Sequence, residues 1–142
     1  MADPDSVDEW LLLVGQHAEA ARLLSQHSMT AAQAVFHVGV GVECAIKALI
    51  MSREQLNGWP SRASRPDIFT HDLRRLLTIA SIDPKQTGTV APSWHVVLQW
   101  DRNQGYDPRP MPLIVARQYV EAAFGQQGVA TWIREQLQWR LS

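Results

Sequence analysis

Cysteine is almost missing from this sequence, since Cys44 is the only one among 142 residues. A single cysteine excludes an internal disulfide framework and any multi-cysteine metal site. The neighbouring His71 and Asp72 give no metal signal either, because a metal centre needs further ligands at suitable spacing. We therefore expect no metal ion and no other cofactor.

Net charge is also nearly absent, at −1 for the whole chain. Such a chain sets up no strong field, so non-specific adhesion to nucleic acid or membranes is not predicted. Lysine is scarce, with two lysines against eleven arginines. Arginine is the better residue for bidentate contact with phosphate or carboxylate, although a skewed base composition of the gene would produce the same bias.

The sequence lacks a long apolar run that is free of charge. The apolar run near the N-terminus is too short for a signal peptide. Residues 31–51 are apolar, but Glu43 and Lys47 lie in their middle, where ionised side chains are costly in a membrane. Their four-residue spacing, acid first, favours a helical ion pair instead. We expect a buried helix of a soluble, cytoplasmic protein, with no membrane partner.

No segment alternates between apolar and polar residues as a half-buried strand would, and the apolar residues follow helical spacing. Ser6 and Glu9 predict a capping box at the start of a helix that runs to about Gln26. Thr30 and Gln33 repeat the pattern before a second helix.

The second half of the chain predicts shorter helices. Thr70 is a candidate cap for a third helix, and a short fourth helix is expected at 92–100. The last helical region runs over about 112–140, with a break or kink at Gly125 and Gly128. The whole pattern predicts one all-α domain over 1–142, an antiparallel four- to five-helix up-and-down bundle.

The second helix is apolar over much of its circumference, which is typical of the centre of a bundle or of a subunit contact. Gly39 and Gly41 predict the close approach of another helix, since glycine is otherwise unfavourable inside a helix. Trp94, Trp100 and Tyr106 add aromatic residues of the kind enriched at subunit contacts. From these features we predict a two-fold homodimer.

Arg65 and His71 are the candidate catalytic pair, with five residues between them. Histidine suits proton transfer near neutral pH, and arginine suits binding of a phosphate. The alternative is that His71 and Asp72 only occupy the first turn of the third helix. Arg74 and Arg75 follow, and they are either a basic corner that holds a phosphate or solvated surface arginines.

Three stretches in order, VECAIKALI, THDLRRLL and LQWDRNQGYDP, together resemble the HEPN superfamily of small helical domains. The resemblance covers roughly residues 6–138. It implies a helical bundle that commonly dimerises. Many members are metal-independent ribonucleases with an arginine and a histidine separated by four to six residues. Others do not cleave RNA, and are encoded beside nucleotidyltransferases or act in toxin–antitoxin systems.

The placement of the motif differs from that of the nucleases. There it opens the last long helix, whereas Arg65 and His71 precede the third helix. Where a related branch has Arg-Tyr, this chain has Gly105-Tyr106. We therefore expect an interaction module that binds RNA or a nucleotide and works with a nucleotidyltransferase or antitoxin; the alternative is a ribonuclease using Arg65 and His71. The candidate phosphate-binding residues are Arg74, Arg75, Arg102, Tyr106 and Arg109.

Overall fold

The computed structural model describes the backbone of residues 3–141 and the side chains of residues 3–138. Residues 1, 2 and 142 of the predicted domain lie outside the described residues. The helices are α1 (Val7–Leu24), α2 (Ala31–Arg53), α3 (Leu73–Ile79), α4 (Ala91–Val97), α5 (Leu113–Phe124) and α6 (Val129–Leu141). Short 3₁₀ turns lie at Ser28–Thr30, Pro66–Ile68, Pro84–Gln86, Gly88–Val90 and Arg102–Tyr106. Over the described backbone there is no strand, so the predicted all-α bundle is confirmed.

The start of α1 largely follows the predicted capping pattern. The hydroxyl of Ser6 accepts a hydrogen bond from the backbone N–H of Glu9 at 3.1 Å. The Glu9 carboxylate reaches back one residue further than expected, because it accepts from the N–H of Asp5 at 2.6 Å. The helix ends at Leu24, two residues before the predicted Gln26.

The predicted capping box of α2 is wrong, although the helix begins where it was expected. The Thr30 hydroxyl donates to the carbonyl of Leu24 at 2.7 Å, and Gln33 Nε2 donates to the carbonyl of Gly105 at 3.0 Å. Both side chains therefore make tertiary contacts instead of capping. They attach the start of α2 to the end of α1 and to the Arg102–Tyr106 turn.

Helix α2 is the centre of the bundle, and it packs against α1, α3, α5, α6 and the Arg102–Tyr106 turn. By length and composition, Ser28–Arg53 would be able to cross a membrane, but 83% of its apolar window is buried inside the fold. Such burial is what the core helix of a soluble protein shows. The apolar circumference of α2 is thus covered within the chain.

The two glycines of α2 make room for aromatic side chains of the same chain. A methyl group added at Gly39 would collide with the Trp100 indole. A methyl group at Gly41 would lie 2.8 Å from Cζ of Phe124 and 3.1 Å from Cβ of His17. The close approach is therefore intramolecular, and these glycines do not support a dimer. Trp94 and Trp100 do not add aromatic surface either, because both are buried.

Helix α3 is capped differently from the prediction. The cap is Asp72, whose carboxylate accepts from the N–H groups of Arg74 and Arg75 at 3.0 and 3.3 Å. The Thr70 hydroxyl, two residues earlier in the chain, accepts from the N–H of Asp72 at 3.1 Å. His71 and Asp72 therefore precede the helix and do not form its first turn.

The last helical region is divided into α5 and α6, as the glycines predicted. Gly125 ends α5, and α6 begins at Val129. A side chain at Gly128 would lie 2.6 Å from the carbonyl oxygen of Ala123, so the returning backbone requires a residue without Cβ there.

Candidate functional site

A cleft of about 480 Å³ opens between two segments that are distant in sequence. One wall is the approach to α3 and its first residues, and the other is the chain that follows α4. Its lining residues are Thr70, His71, Asp72, Leu73 and Arg74 on the first wall, and Leu98, Trp100, Asp101, Arg102 and Asn103 on the second. Three of the candidate residues from the sequence, His71, Arg74 and Arg102, thus line the same cleft.

Both walls are held by local caps. Asp72 caps α3 on the first wall. On the second, the carboxylate of Asp101 accepts from the N–H of Asn103 at 2.9 Å, while Gln104 Oε1 accepts from the N–H of Asp101 at 3.1 Å. This reciprocal capping box fixes the backbone that carries Arg102. The Trp100 indole, seated over Gly39, anchors the same segment to α2.

His71 is held from beneath by a buried carboxylate. Its Nδ1 lies 2.8 Å from Oε1 of Glu43, and its side chain is 51% exposed whereas that of Glu43 is 8% exposed. The imidazole is thus fixed on its buried side and open to solvent on the other. The separation of 28 positions along the chain explains why no local pattern indicated this contact.

Glu43 and Lys47 form the ion pair that their spacing suggested. Lys47 Nζ lies 3.0 Å from Oε2 of Glu43, and both residues are buried. The ammonium also lies 5.5 Å from the ring centroid of Trp10 and 5.9 Å from that of Trp59. The two oxygens of one buried carboxylate therefore join Lys47 to His71.

Arg65 is held at a different place. Its guanidinium lies 2.6 Å from Oε1 of Glu54 and 3.0 Å from Oδ2 of Asp67. Hydrogen bonds to these two carboxylates raise the pKa of Arg65 above its ordinary value. Arg65 and His71 are thus engaged by separate acidic residues, and the arginines that line the cleft with His71 are Arg74 and Arg102.

The remaining arginine and tyrosine candidates are dispersed. Arg75 is exposed and does not line the cleft. Arg109 is exposed and paired with Asp107 at 2.8 Å beside another groove, which Ala32 and Met111 also line. Tyr106 is 76% exposed. The N–H groups of Arg74 and Arg75 at the start of α3 already donate to Asp72. Fewer free N–H groups are therefore left for a phosphate there than the sequence suggested.

A histidine pair lies outside the cleft, between α1 and α2. Nδ1 of His17 is 2.9 Å from Nδ1 of His37. Burial lowers the pKa of His17, the charge of His37 lowers it further, and Glu43 acts in the opposite direction. Burial also lowers the pKa of His37. The neutral pair shares one proton in a hydrogen bond, which two charged imidazoles would be unable to form.

The single cysteine is not a candidate nucleophile. Cys44 is buried in α2, and this burial raises the pKa of its thiol to about 12. Across residues 3–138, no group of three or more His, Cys, Asp and Glu side chains is arranged to hold a metal ion.

No family model, curated protein or solved structure matches the chain.

Proposed function

We propose that this chain is a HEPN-type interaction module that binds the phosphate group of a nucleotide or of RNA in the cleft of His71, Arg74 and Arg102. The observation that carries the proposal is that Arg102, from the segment after α4, lines the same cleft as His71 and Arg74 beside the start of α3. The resemblance to the HEPN superfamily adds the expected working context. In that context the chain would work as a cytoplasmic homodimer, together with a separately encoded nucleotidyltransferase or antitoxin.

The ionic state of the arginines supports the choice of this cleft. Arg65 and Arg109 are already paired with carboxylates. Within residues 3–138, neither Arg74 nor Arg102 has an ion-pair partner. Their guanidinium groups are available to an anion without first breaking an ion pair, and arginine suits the oxygens of a phosphate.

Two carboxylates also line the cleft, and both act as caps. Asp72 accepts from two backbone N–H groups and Asp101 accepts from one. Hydrogen bonds from backbone N–H groups offset part of their negative charge. A phosphate is therefore expected to bind toward Arg74 and Arg102 and not between the two acids.

Binding is tested by fluorescence anisotropy with a labelled single-stranded RNA and, in competition, with nucleoside monophosphates. The loss of one arginine–phosphate contact is expected to cost roughly 1.5 kcal/mol, or about tenfold in affinity, for Arg102→Ala. The matched control is Arg109→Ala, which removes an exposed arginine from another groove and should leave the affinity unchanged. Equal weakening by both variants, or no binding by the wild type, contradicts the proposal.

A metal-independent ribonuclease is the second candidate function, and the contact between His71 and Glu43 favours it. In such a reaction the 2′ oxygen of a ribose bonds to phosphorus and its proton passes to Nε2 of His71. The bond from phosphorus to the 5′ oxygen breaks, and that oxygen takes a proton from solvent. Arg102 and Arg74 would stabilise the charge on the phosphorane.

Cleavage is tested with structured and single-stranded RNA in the presence of EDTA. His71→Ala should abolish cleavage, and His27→Ala, which changes an exposed histidine outside the cleft, should not. Loss of cleavage in Arg65→Ala but not in Arg102→Ala would restore the pair expected from the sequence. Intact RNA with the wild-type protein would eliminate the enzyme and leave the binding module.

A further inference from the structure

We infer that Glu43 is a positioning residue for His71: it fixes the imidazole as the Nδ1–H tautomer and so presents an unprotonated Nε2 to the cleft. The inference rests on the proposed function for its use, since the cleft is where a phosphate-bearing ligand would meet this nitrogen. Glu43 thereby has a role beyond the ion pair that its spacing to Lys47 indicates.

The donor in the bond between His71 and Glu43 follows from its partners. Oε2 of Glu43 accepts from the Lys47 ammonium at 3.0 Å. A carboxylate paired in this way has only acceptor oxygens, so the proton between Oε1 and Nδ1 belongs to the imidazole. In a neutral imidazole that carries its proton on Nδ1, Nε2 has a free lone pair.

The burial of the two groups distinguishes this arrangement from a chance surface contact. Glu43 is 6% exposed and Lys47 is 7% exposed, inside the most buried helix of the fold. A buried ion pair is a poor source of stability, and apolar residues of similar volume would often serve as well. Oε1 of Glu43 contacts the half-exposed His71, and an apolar residue at position 43 would be unable to orient this ring.

The groups around His71 define the ligand that Nε2 would meet. Glu43 and Lys47 lie beneath it, Asp72 and Arg74 follow it in the chain, and Asp101 and Arg102 lie across the cleft. A phosphodiester on the two arginines would bring a neighbouring hydroxyl toward a proton acceptor. The geometry therefore suits RNA, which has a 2′-hydroxyl beside each phosphodiester, better than DNA.

Two double variants isolate the contact while both remove the buried ion pair. Glu43→Gln with Lys47→Met keeps a carbonyl oxygen at position 43 that can accept from Nδ1–H, but its amide NH₂ can also donate to an unprotonated Nδ1. Glu43→Leu with Lys47→Met also removes the ion pair, and it leaves no hydrogen-bonding group at position 43. Replacement of both charges avoids a buried unpaired lysine, which would destabilise the fold.

The readout is the tautomer of neutral His71, measured from the ¹⁵N chemical shifts of its ring in the wild type and in both variants. We expect the Nδ1–H form in the wild type and a shift toward the Nε2–H form in the Leu/Met protein, with the Gln/Met protein between them. An Nε2–H form in wild-type protein overturns the inference. So does an unchanged Nδ1–H preference in the Leu/Met protein, because position 43 would then not set the tautomer.

Binding of labelled single-stranded RNA and of the DNA of the same sequence is measured on the same three proteins. If the wild type binds neither, the proposed function fails, whatever the tautomer. If RNA is bound, the Leu/Met protein should keep most of its affinity while any RNA cleavage falls at least tenfold, with a smaller loss of cleavage in the Gln/Met protein. Equal cleavage in all three proteins contradicts the positioning role.

Discussion

The His17 and His37 imidazoles, 2.9 Å apart between two helices, are both shifted toward the neutral form. Their ordinary pKa is 6.5, and in the folded chain both values are lower. The unfolded chain therefore binds more protons than the folded chain just below pH 6.5. Above that pH, this pair should not change the free energy of unfolding. As the pH drops toward the lowered pKa values of the two histidines, the free energy of unfolding should fall.

This dependence is measured by urea unfolding between pH 7.5 and 5. His37→Gln removes one of the two coupled imidazoles, so the loss of stability on acidification should be smaller than in the wild type. His27→Gln, which changes an exposed histidine, should follow the wild-type curve. A wild-type stability that rises on acidification over this range would contradict the account of the pair.

Cys44 gives a second prediction at the scale of one residue. The thiol is 4% exposed, and its raised pKa leaves almost no thiolate at neutral pH. Ellman's reagent should not react with the folded protein and should titrate one thiol per chain after unfolding in guanidinium. Rapid reaction of the folded protein would show that α2 opens far more readily than its burial implies.

Sequence reasoning at this scale succeeded where both partners were local. Glu43 and Lys47 are neighbours on one helix, so their spacing was sufficient. The contact between Glu43 and His71, and that between His17 and His37, join residues from different elements, and no local pattern encodes them. The spacing of Arg65 to His71 indicated a pair, whereas the partners of Arg65 in the fold are the carboxylates of Glu54 and Asp67.

Among the elements, α2 determines how the second wall of the cleft is held. Gly39 leaves the space in which the Trp100 indole lies, and Trp100 lines the cleft. Gly39→Ala should therefore lower the free energy of unfolding by roughly 1–3 kcal/mol through overpacking. It should also weaken RNA binding, because displacement of Trp100 moves the segment that carries Arg102.

The matched control is Gly15→Ala in α1, where an added methyl group meets nothing within 4 Å. Alanine is better than glycine inside a helix, so this variant should gain about 0.5–1 kcal/mol and bind RNA normally. Chemical denaturation of both variants checks the pair. Tolerance of Gly39→Ala without loss of stability would contradict the packing of Trp100 on α2.

The helix boundaries show where local signals suffice and where they do not. Ser6 and Thr30 have similar sequence surroundings, yet only Ser6 caps its helix. Thr30 has a carbonyl of α1 within reach, and Gln33 has one in the Arg102–Tyr106 turn, so tertiary partners replaced the local ones. At α3 the cap is the carboxylate of Asp72, two residues after the Thr70 hydroxyl that the sequence predicts. The break between α5 and α6 was predictable because Gly125 and Gly128 lie where the backbone approaches too closely for a Cβ.

For the whole molecule, the homodimer remains a prediction with a different physical basis from the one the sequence suggested. The apolar side of α2 and the indoles of Trp94 and Trp100 are buried within one chain. Large apolar side chains remain exposed at Met29, Tyr106 and Ile114, which are 92%, 76% and 69% exposed. Met29 lines a groove with residues 107–110, close in the chain to the other two. A second copy that covers this surface would bury side chains of the kind enriched at interfaces.

Light scattering at micromolar concentration should give about twice the chain mass of 16.0 kDa. Met29→Lys should reduce the mass toward that of one chain, because a charge would be buried in the contact. Leu12→Lys, which places the same charge at a 65% exposed position on α1, should leave the dimer intact. A wild-type mass near that of one chain would contradict the predicted homodimer.

NMR measures whether a phosphate-bearing ligand binds in the cleft between the start of α3 and the segment after α4. Backbone amides, arginine Nε–H groups and tryptophan indole signals are followed while single-stranded RNA, or AMP, is added. We expect the largest shifts at residues 70–74 and 98–103, including the Arg102 Nε–H and the Trp100 indole. They should be lost in Arg102→Ala and kept in Arg109→Ala. Shifts centred on residues 107–112, or no shifts with either ligand, would contradict the assignment of the phosphate site to this cleft.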